Sequence, residues 1–185
     1  MSRGRTRVAR RAAKASPSPP MNIKSLIRTI PDWPRAPVRF RDISSLLRDA
    51  EGFGAAMDMF IGHYRDRPID VIAGLDARGF IPAAVLAYEL RKPLVMVRKK
   101  GKLPGETIHA AYQLEYGSGV LEMQRGAGRI VLIDDVLATG GTMTAAAELC
   151  VRAGYQVSAL ATLIDLNIVV GYRWRDLAVR TVLSY

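Results

Sequence analysis

The sequence predicts an α/β domain, a central, mostly parallel sheet flanked by helices, with a small flap at its N-terminal end. Three observations predict it. Short runs rich in Val, Ile and Leu alternate with segments of helical period. The runs are apolar along their length rather than at every second residue, as strands covered on both faces must be. The chain has 185 residues and 49% hydrophobic content, the range of one domain with a sizeable core.

Taken in order, residues 1–20 come first, carrying Arg3, Arg5, Arg7, Arg10, Arg11 and Lys14 with no acid. The net charge of +10 therefore leaves only +4 for the rest of the chain. The segment is rich in Ala, Ser and Pro and ends in Ser16-Pro17-Ser18-Pro19-Pro20, a composition that cannot bury a core and predicts a disordered basic tail. Three readings of it stay open: translation starting at Met21, an organellar presequence, or a basic arm for a polyanion. The folded domain is then residues 21–185. Asn22 to Ser45, with Pro31, Pro34 and Pro37, reads as a helix followed by an extended cover, the flap. Strands are expected at Asp70–Leu75, Leu94–Val97, Ile130–Ile133, Val157–Ile164 and Val179–Leu183. Helices lie between them. Met57, Phe60, Ile61 and Tyr64 recur at helical spacing, as do Met143, Ala146, Ala147 and Cys150 before Gly154, which offers a C-cap. Met57, Met59 and Cys150 are read as packing groups, and His63 as an ordinary histidine beside Tyr64.

Composition also excludes several classes. A single cysteine, Cys150, rules out an internal disulfide framework, and with only His63 and His109 beside it no cysteine/histidine zinc cluster can form. No run approaches the ~18 consecutive apolar residues of a membrane span, and no apolar stretch follows the basic start. A cytoplasmic protein without a membrane anchor is expected. Because the excess charge sits in the tail and no DNA-binding domain is recognisable, nucleic acid is not the expected partner.

The chemistry concentrates in Arg129 to Met143, where a buried strand runs into Asp134 and Asp135, then Ala138-Thr139-Gly140-Gly141-Thr142, then a helix. Gly140 and Gly141 allow close backbone approach, the helix presents free N–H groups and its positive end, and Thr139 and Thr142 add hydroxyls. Together these make an anion cradle. An acid pair beside a phosphate repels it unless the ligand places hydroxyls between, and a ribose 5-phosphate does so. Its phosphate would lie on the backbone of residues 138–142, with Asp134 and Asp135 accepting from the ribose 2- and 3-hydroxyls. Neither G-x-x-x-x-G-K-[ST] nor G-x-G-x-x-G occurs in the chain. Asp76-Ala77-Arg78-Gly79 also leaves a strand and enters a helix with Pro82 in its first turn, a second place for an anion. Arg98, Lys99, Lys100 and Lys102 form a basic cluster that by itself reads as a solvated loop. Pro104 to Gly119, polar and bounded by glycines, reads as a mobile lid.

Val131 to Thr142 resembles the phosphoribosyl pyrophosphate signature of type I phosphoribosyltransferases. Phe40-Arg41-Asp42-Ile43, Gly74 to Phe80, Arg98 to Gly105 and Leu114-Glu115-Tyr116-Gly117 are similar, in order and spacing, to the adenine branch of that family. The likeness covers residues 25–170 and thins beyond Asp165. It implies the type I phosphoribosyltransferase fold and purine salvage: adenine and phosphoribosyl pyrophosphate give AMP and pyrophosphate. It further implies a homodimer, and Mg²⁺ held mainly by the substrate's oxygens and water, without a protein cage. Asp76, Ala77 and Arg78 would form the pyrophosphate loop, with a cis peptide between Asp76 and Ala77. Arg98 and Lys102 would hold the leaving group, within one subunit or across the dimer interface. Glu115 would exchange a proton with the base, Tyr116 would help cover the site, and main-chain groups of Arg39 and Arg41, with Arg78 and Leu166 nearby, would read the adenine edge. The sequence departs from the family at Arg35-Ala36-Pro37-Val38, where Pro-Gly more often precedes the valine. The rivals are a hypoxanthine, guanine or xanthine enzyme on the same scaffold and a nucleic-acid-binding regulator that keeps the fold as a sensor.

Overall fold

A computed structural model of the chain describes residues 22–114 and 117–185. The basic tail, Met21, Glu115 and Tyr116 lie outside the described residues. A 3₁₀ turn, Ile23–Leu26, opens the domain, followed by β1 (Arg28–Pro31), β2 (Arg39–Asp42), α1 (Ser44–Arg48) and α2 (Ala50–Tyr64). The chain continues through β3 (Val71–Leu75), α3 (Phe80–Leu90), β4 (Leu94–Lys99), β5 (Ile108–Leu114) and β6 (Gly117–Met123). It ends with β7 (Gly128–Leu137), α4 (Gly141–Arg152), β8 (Tyr155–Asp165), β9 (Arg173–Trp174) and β10 (Leu177–Ser184).

Eight strands form one sheet in the order β5-β6-β4-β3-β7-β8-β10-β9. The five central strands, β4, β3, β7, β8 and β10, are parallel, and antiparallel strands flank them: β6 and β5 on one side, β9 on the other. The chain adds β4 on one side of β3 and then crosses back to place β7 on the other. β3 and β7 therefore bound a topological switch point, where the loops leaving two parallel strands part to opposite faces and open a crevice.

The two faces divide as alternation along each strand requires. Ile72, Val131, Ile133, Ala161 and Leu163 pack under α2 and α3 with Met57, Phe60, Ile61, Tyr64, Ala83 and Leu86. Val71, Ala73, Leu75, Ile130, Leu132 and Leu160 face α4, whose Met143, Ala146, Ala147 and Cys150 are buried. Each fully buried Val, Leu, Ile, Met or Phe side chain among these contributes about 1.5–3 kcal/mol. Asp49 caps α2 by accepting from the Gly52 N–H at 2.8 Å, and Gly154, at φ +104°, ends α4 as expected.

All five expected strands are present, four of them longer than the expected run and β3 one residue shorter. Three readings are corrected. The segment 104–119, read as polar and weakly periodic, is largely an antiparallel hairpin, β5–β6. Its inward set, Ala110, Tyr112, Leu121 and Met123, is buried in the core beside α4, so the period of two prevailed over its polar composition. The flap opens with a single 3₁₀ turn and is otherwise the two-stranded β1–β2 ribbon, because Ile27 is already extended and Pro31 closes the strand that follows. Met59 is 46% exposed; two residues beyond Met57 it falls on the opposite side of α2 and is not a packing group.

Candidate active site

Both loops at the switch point run from a strand into a helix without a side-chain cap. α3 begins after Gly79 and α4 after Gly140, and neither first turn contains an acid. The positive ends of both helices, and the first N–H groups of α4, are left for an anion; in α3 the Phe80 and Ile81 N–H groups close the turn and Pro82 has none. The Asp76–Ala77 peptide is cis, and the turn closes with the Phe80 N–H on Ala77 O at 3.3 Å and the Ile81 N–H on Arg78 O at 3.2 Å. Gly79 is required by close approach: a Cβ there would meet Ile133 O at 2.7 Å, Leu75 O at 2.8 Å and Asp134 Cα at 2.9 Å. The first loop therefore lies directly on β7, against the acid pair.

Asp134 and Asp135, successive residues near the end of β7, point to opposite faces. The Asp135 Oδ2 pairs with Arg78 Nε, an ion pair buried on the carboxylate side, where the side chain is 8% exposed. The Asp134 Oδ1 accepts the Asp135 N–H at 2.8 Å. Burial, reinforced by the charge of Asp135, holds the Asp134 carboxyl well above the usual carboxylate range. Ala138, Thr139, Gly140, Gly141 and Thr142 follow as the turn into α4, with Gly140 at φ +84° as N-cap. Tyr172 fills the space behind it: a Cβ on Gly140 would lie 2.2 Å from the Tyr172 ring.

The basic cluster divides in two. Arg98 is not in a loop but on β4, opposite Glu122 of β6, and its Nε donates to Asp76 Oδ2 at 3.1 Å. Arg98 Nη1 also donates to Lys102 O at 3.2 Å. The turn itself is organised by Glu122, 2% exposed, whose Oε1 accepts the N–H groups of Lys102 at 2.6 Å and Leu103 at 2.7 Å. Burial opposes ionisation of Glu122, but the N–H groups of Gly101, Leu103 and Lys102 and nearby His109 outweigh it and lower its pKa. Sequence reasoning missed Glu122, which alternates with Leu121 and Met123 onto the opposite face of β6 and is buried by the turn it organises. Tyr112 was missed too. It is buried on β5, and burial first, then the carboxylates of Asp76 and Asp134, pushes its hydroxyl pKa up.

On the flap, alternation along β2 separates its side chains. Phe40 lies against Arg78, 5.1 Å from guanidinium carbon to ring centroid, and meets Trp33 edge-on at 4.4 Å. Arg41 turns the other way, over the Tyr185 ring at 3.8 Å. Arg39 is exposed and pairs in register with Pro31. Tyr185 ties the flap to the end of β8: its N–H donates to Asp165 O at 3.0 Å and its carbonyl accepts from Asn167 Nδ2 at 3.0 Å. Leu166, half-buried, donates its N–H to Leu137 O at 3.0 Å, beside the acid pair. Phe40 and Tyr185 carry no local signal of these contacts. Glu115 and Tyr116 lie outside the described residues.

Two uncapped helix N-termini at one switch point, with a carboxylate pair between them, define a phosphoribosyl-transferring class of protein. The family model of the phosphoribosyl transferase domain matches residues 42–176. The chain is 50% identical over 148 residues to the adenine phosphoribosyltransferase of Marinomonas sp. (strain MWYL1), covering 78% of this chain and 82% of that one. It superposes on the crystal structure of adenine phosphoribosyltransferase from Thermoanaerobacter pseudethanolicus ATCC 33223 with TM-score 0.82 and 39% identity, covering 88% and 98% of the two chains. The enzyme from Giardia lamblia complexed with 9-deazaadenine also gives TM-score 0.82, at 32% identity over 88% and 96%. The chain belongs to the adenine phosphoribosyltransferases, and its fold is the type I phosphoribosyltransferase fold.

Proposed function

We propose that the chain is the enzyme that transfers the phosphoribosyl group of phosphoribosyl pyrophosphate to adenine, giving AMP and pyrophosphate, a purine salvage reaction. The observation that carries the site assignment is the meeting of the Asp76–Gly79 and Ala138–Thr142 loops over Asp134 and Asp135. The 5-phosphate rests on the backbone of residues 138–142, and the two acids hold the ribose hydroxyls. Asp76, Ala77 and Arg78 face the pyrophosphate with Arg98 and Lys102, Arg98 being positioned by its bond to Asp76. Charge developing on the leaving group is then met by oriented N–H donors and guanidinium groups, with single-donor losses costing on the order of 3–4 kcal/mol in comparable sites. A ring nitrogen of adenine forms the new bond to the ribose carbon as the bond to pyrophosphate breaks, and Glu115 takes the proton the base loses. The base lies under the flap between main-chain groups of Arg39 and Arg41, Arg78 and Leu166, with the Phe40 ring as a wall. The relative complexed with 9-deazaadenine supports the adenine reading.

Asp76 and Asp135 already have guanidinium partners, a donor set that fits Mg²⁺ carried by the substrate's oxygens and water rather than by a protein cage. Bound there, the ion neutralises charge on the pyrophosphate. We place the reaction in the cytoplasm; among the described residues no helix is long and apolar enough to cross a membrane. A homodimer is supported by exposed apolar groups around the α3–β4 connection, Tyr88 at 70%, Leu94 at 42% and Met96 at 42%.

The test is nucleotide formation from magnesium phosphoribosyl pyrophosphate with adenine, hypoxanthine, guanine or xanthine offered singly. AMP alone is expected. IMP, GMP or XMP would retain the phosphoribosyl site and discard the base assignment, and no product with intact ligand binding would point to a sensor.

A further inference from the structure

The loop that binds the 5-phosphate is held from behind by a residue 32 positions away in sequence. Tyr172 follows Leu166 in the turn between β8 and β9, where its N–H closes on Val169 O at 3.3 Å. Its ring stacks onto the Cα of Gly140, so close that any Cβ there would overlap it. Its hydroxyl lies 2.7 Å from Thr144 Oγ1 on the first turn of α4 and 3.3 Å from Gly140 O. One phenolic proton serves one acceptor. The arrangement that satisfies all three groups has the Thr144 hydroxyl donating to Tyr172 and the Tyr172 hydroxyl donating to Gly140 O. Gly140 O also accepts the Thr144 N–H at 2.9 Å.

We propose that Tyr172 is a positioning residue for phosphoribosyl pyrophosphate, acting through the Gly140–Gly141 peptide. In a planar trans peptide the carbonyl and the N–H point in opposite directions. Two donors behind the loop fix the Gly140 carbonyl toward the body of α4, and so fix the Gly141 N–H outward, where the 5-phosphate is bound. Glycine at φ +84° is free to swing this plane. The flexibility that lets the backbone approach the phosphate is the flexibility Tyr172 removes. Burial, the largest effect, pushes the Tyr172 hydroxyl pKa up and keeps it a donor near neutral pH. Tyr172 and Leu166 share one turn, so this turn supports both the phosphate loop and the base side of the site.

The inference rests on residues 138–142 being the 5-phosphate loop, and the experiment separates the two. Steady-state kinetics for both substrates, calorimetric binding of ribose 5-phosphate and thermal melting are measured for the full chain, Tyr172→Phe and Thr142→Ala. Tyr172→Phe keeps the ring and removes the donor. It should raise KM for phosphoribosyl pyrophosphate and Kd for ribose 5-phosphate about three- to tenfold, with KM for adenine and the melting temperature unchanged. If Thr142→Ala weakens both ligands and Tyr172→Phe weakens neither, the positioning role is overturned and the loop assignment stands. If neither variant changes ribose 5-phosphate binding, the loop assignment falls and the inference with it. A parallel rise in adenine KM with a lowered melting temperature would reduce Tyr172 to general packing and also overturn the proposal.

Discussion

Asp134 shows a single residue held in conflict between stability and function. The residue is half-buried beside Asp135, and loss of solvent around its carboxyl, with the charge of Asp135, raises its pKa. An acid whose folded pKa lies above its unfolded value weakens the fold as pH rises from the usual carboxylate range through the raised value, because the ionised form is favoured in the unfolded chain. Asp134→Asn keeps an oxygen for the Asp135 N–H and removes the charge. It should raise the melting temperature at pH 7 by a few degrees while weakening ribose 5-phosphate about tenfold. Differential scanning calorimetry with titration calorimetry checks both, and a lower melting temperature would remove the argument for a buried charge. Glu115 is tested differently, since its role rests on resemblance. Glu115→Gln should lower kcat about 10²-fold with little change in either KM; an unaltered kcat removes it from the mechanism. Asp134, Asp135, Gly140 and Gly141 were legible in the sequence because they are neighbours in one motif. Glu122 and Tyr172 were not, since each acts on a segment with which it shares no local pattern.

At the scale of elements, the turn between β4 and β5 depends on one buried acid from β6. Glu122→Ala leaves the N–H groups of Lys102 and Leu103 without their acceptor, and an unpaired buried donor is unfavourable. Hydrogen exchange at Lys102 and Leu103 should speed up at least tenfold, and KM for phosphoribosyl pyrophosphate should rise severalfold as Arg98 loses its anchor on Lys102 O. Unchanged exchange would show that Glu122 does not organise the turn. The flap has a different dependence. The hydroxyl and backbone N–H of Ser44, then Arg28, hold the Asp42 carboxyl down to about 2. A depressed acid contributes stability that is present above its unfolded pKa and is lost as pH falls through the folded value. Acid titration of tryptophan fluorescence, with Trp33 packed on Phe40 in the flap, should show a transition between the ordinary carboxylate range and about 2. Asp42→Asn should abolish it. The β5–β6 hairpin belongs here too: its alternating inward residues were present in the sequence, but glycines and polar groups concealed the period.

For the whole molecule, the expected unit is a dimer across the face bearing Tyr88, Leu94 and Met96. Size-exclusion chromatography with light scattering should give twice the chain mass of 20.3 kDa, and Met96→Glu should shift the population toward monomer. A fully active native monomer would contradict the assembly. The sheet order explains why so much chemistry converges on one edge of the molecule. Crossing back over β3 brings the ends of β3 and β7 together, so two loops far apart in the chain become one crevice.

The sequence by itself determined the fold class, the places of the five central parallel strands and the family, because each depends on signals written in adjacent residues: apolar runs, helical spacing, and acids followed by glycines. Only the tertiary structure decided the partners. Arg78 reaches Asp135 across 57 positions, Arg98 reaches Asp76 across 22, and Tyr172 reaches Gly140 across 32. No local pattern encodes such pairings. They exist because burial of the two apolar faces fixes the order of the strands, and strand order sets which loop ends share a crevice.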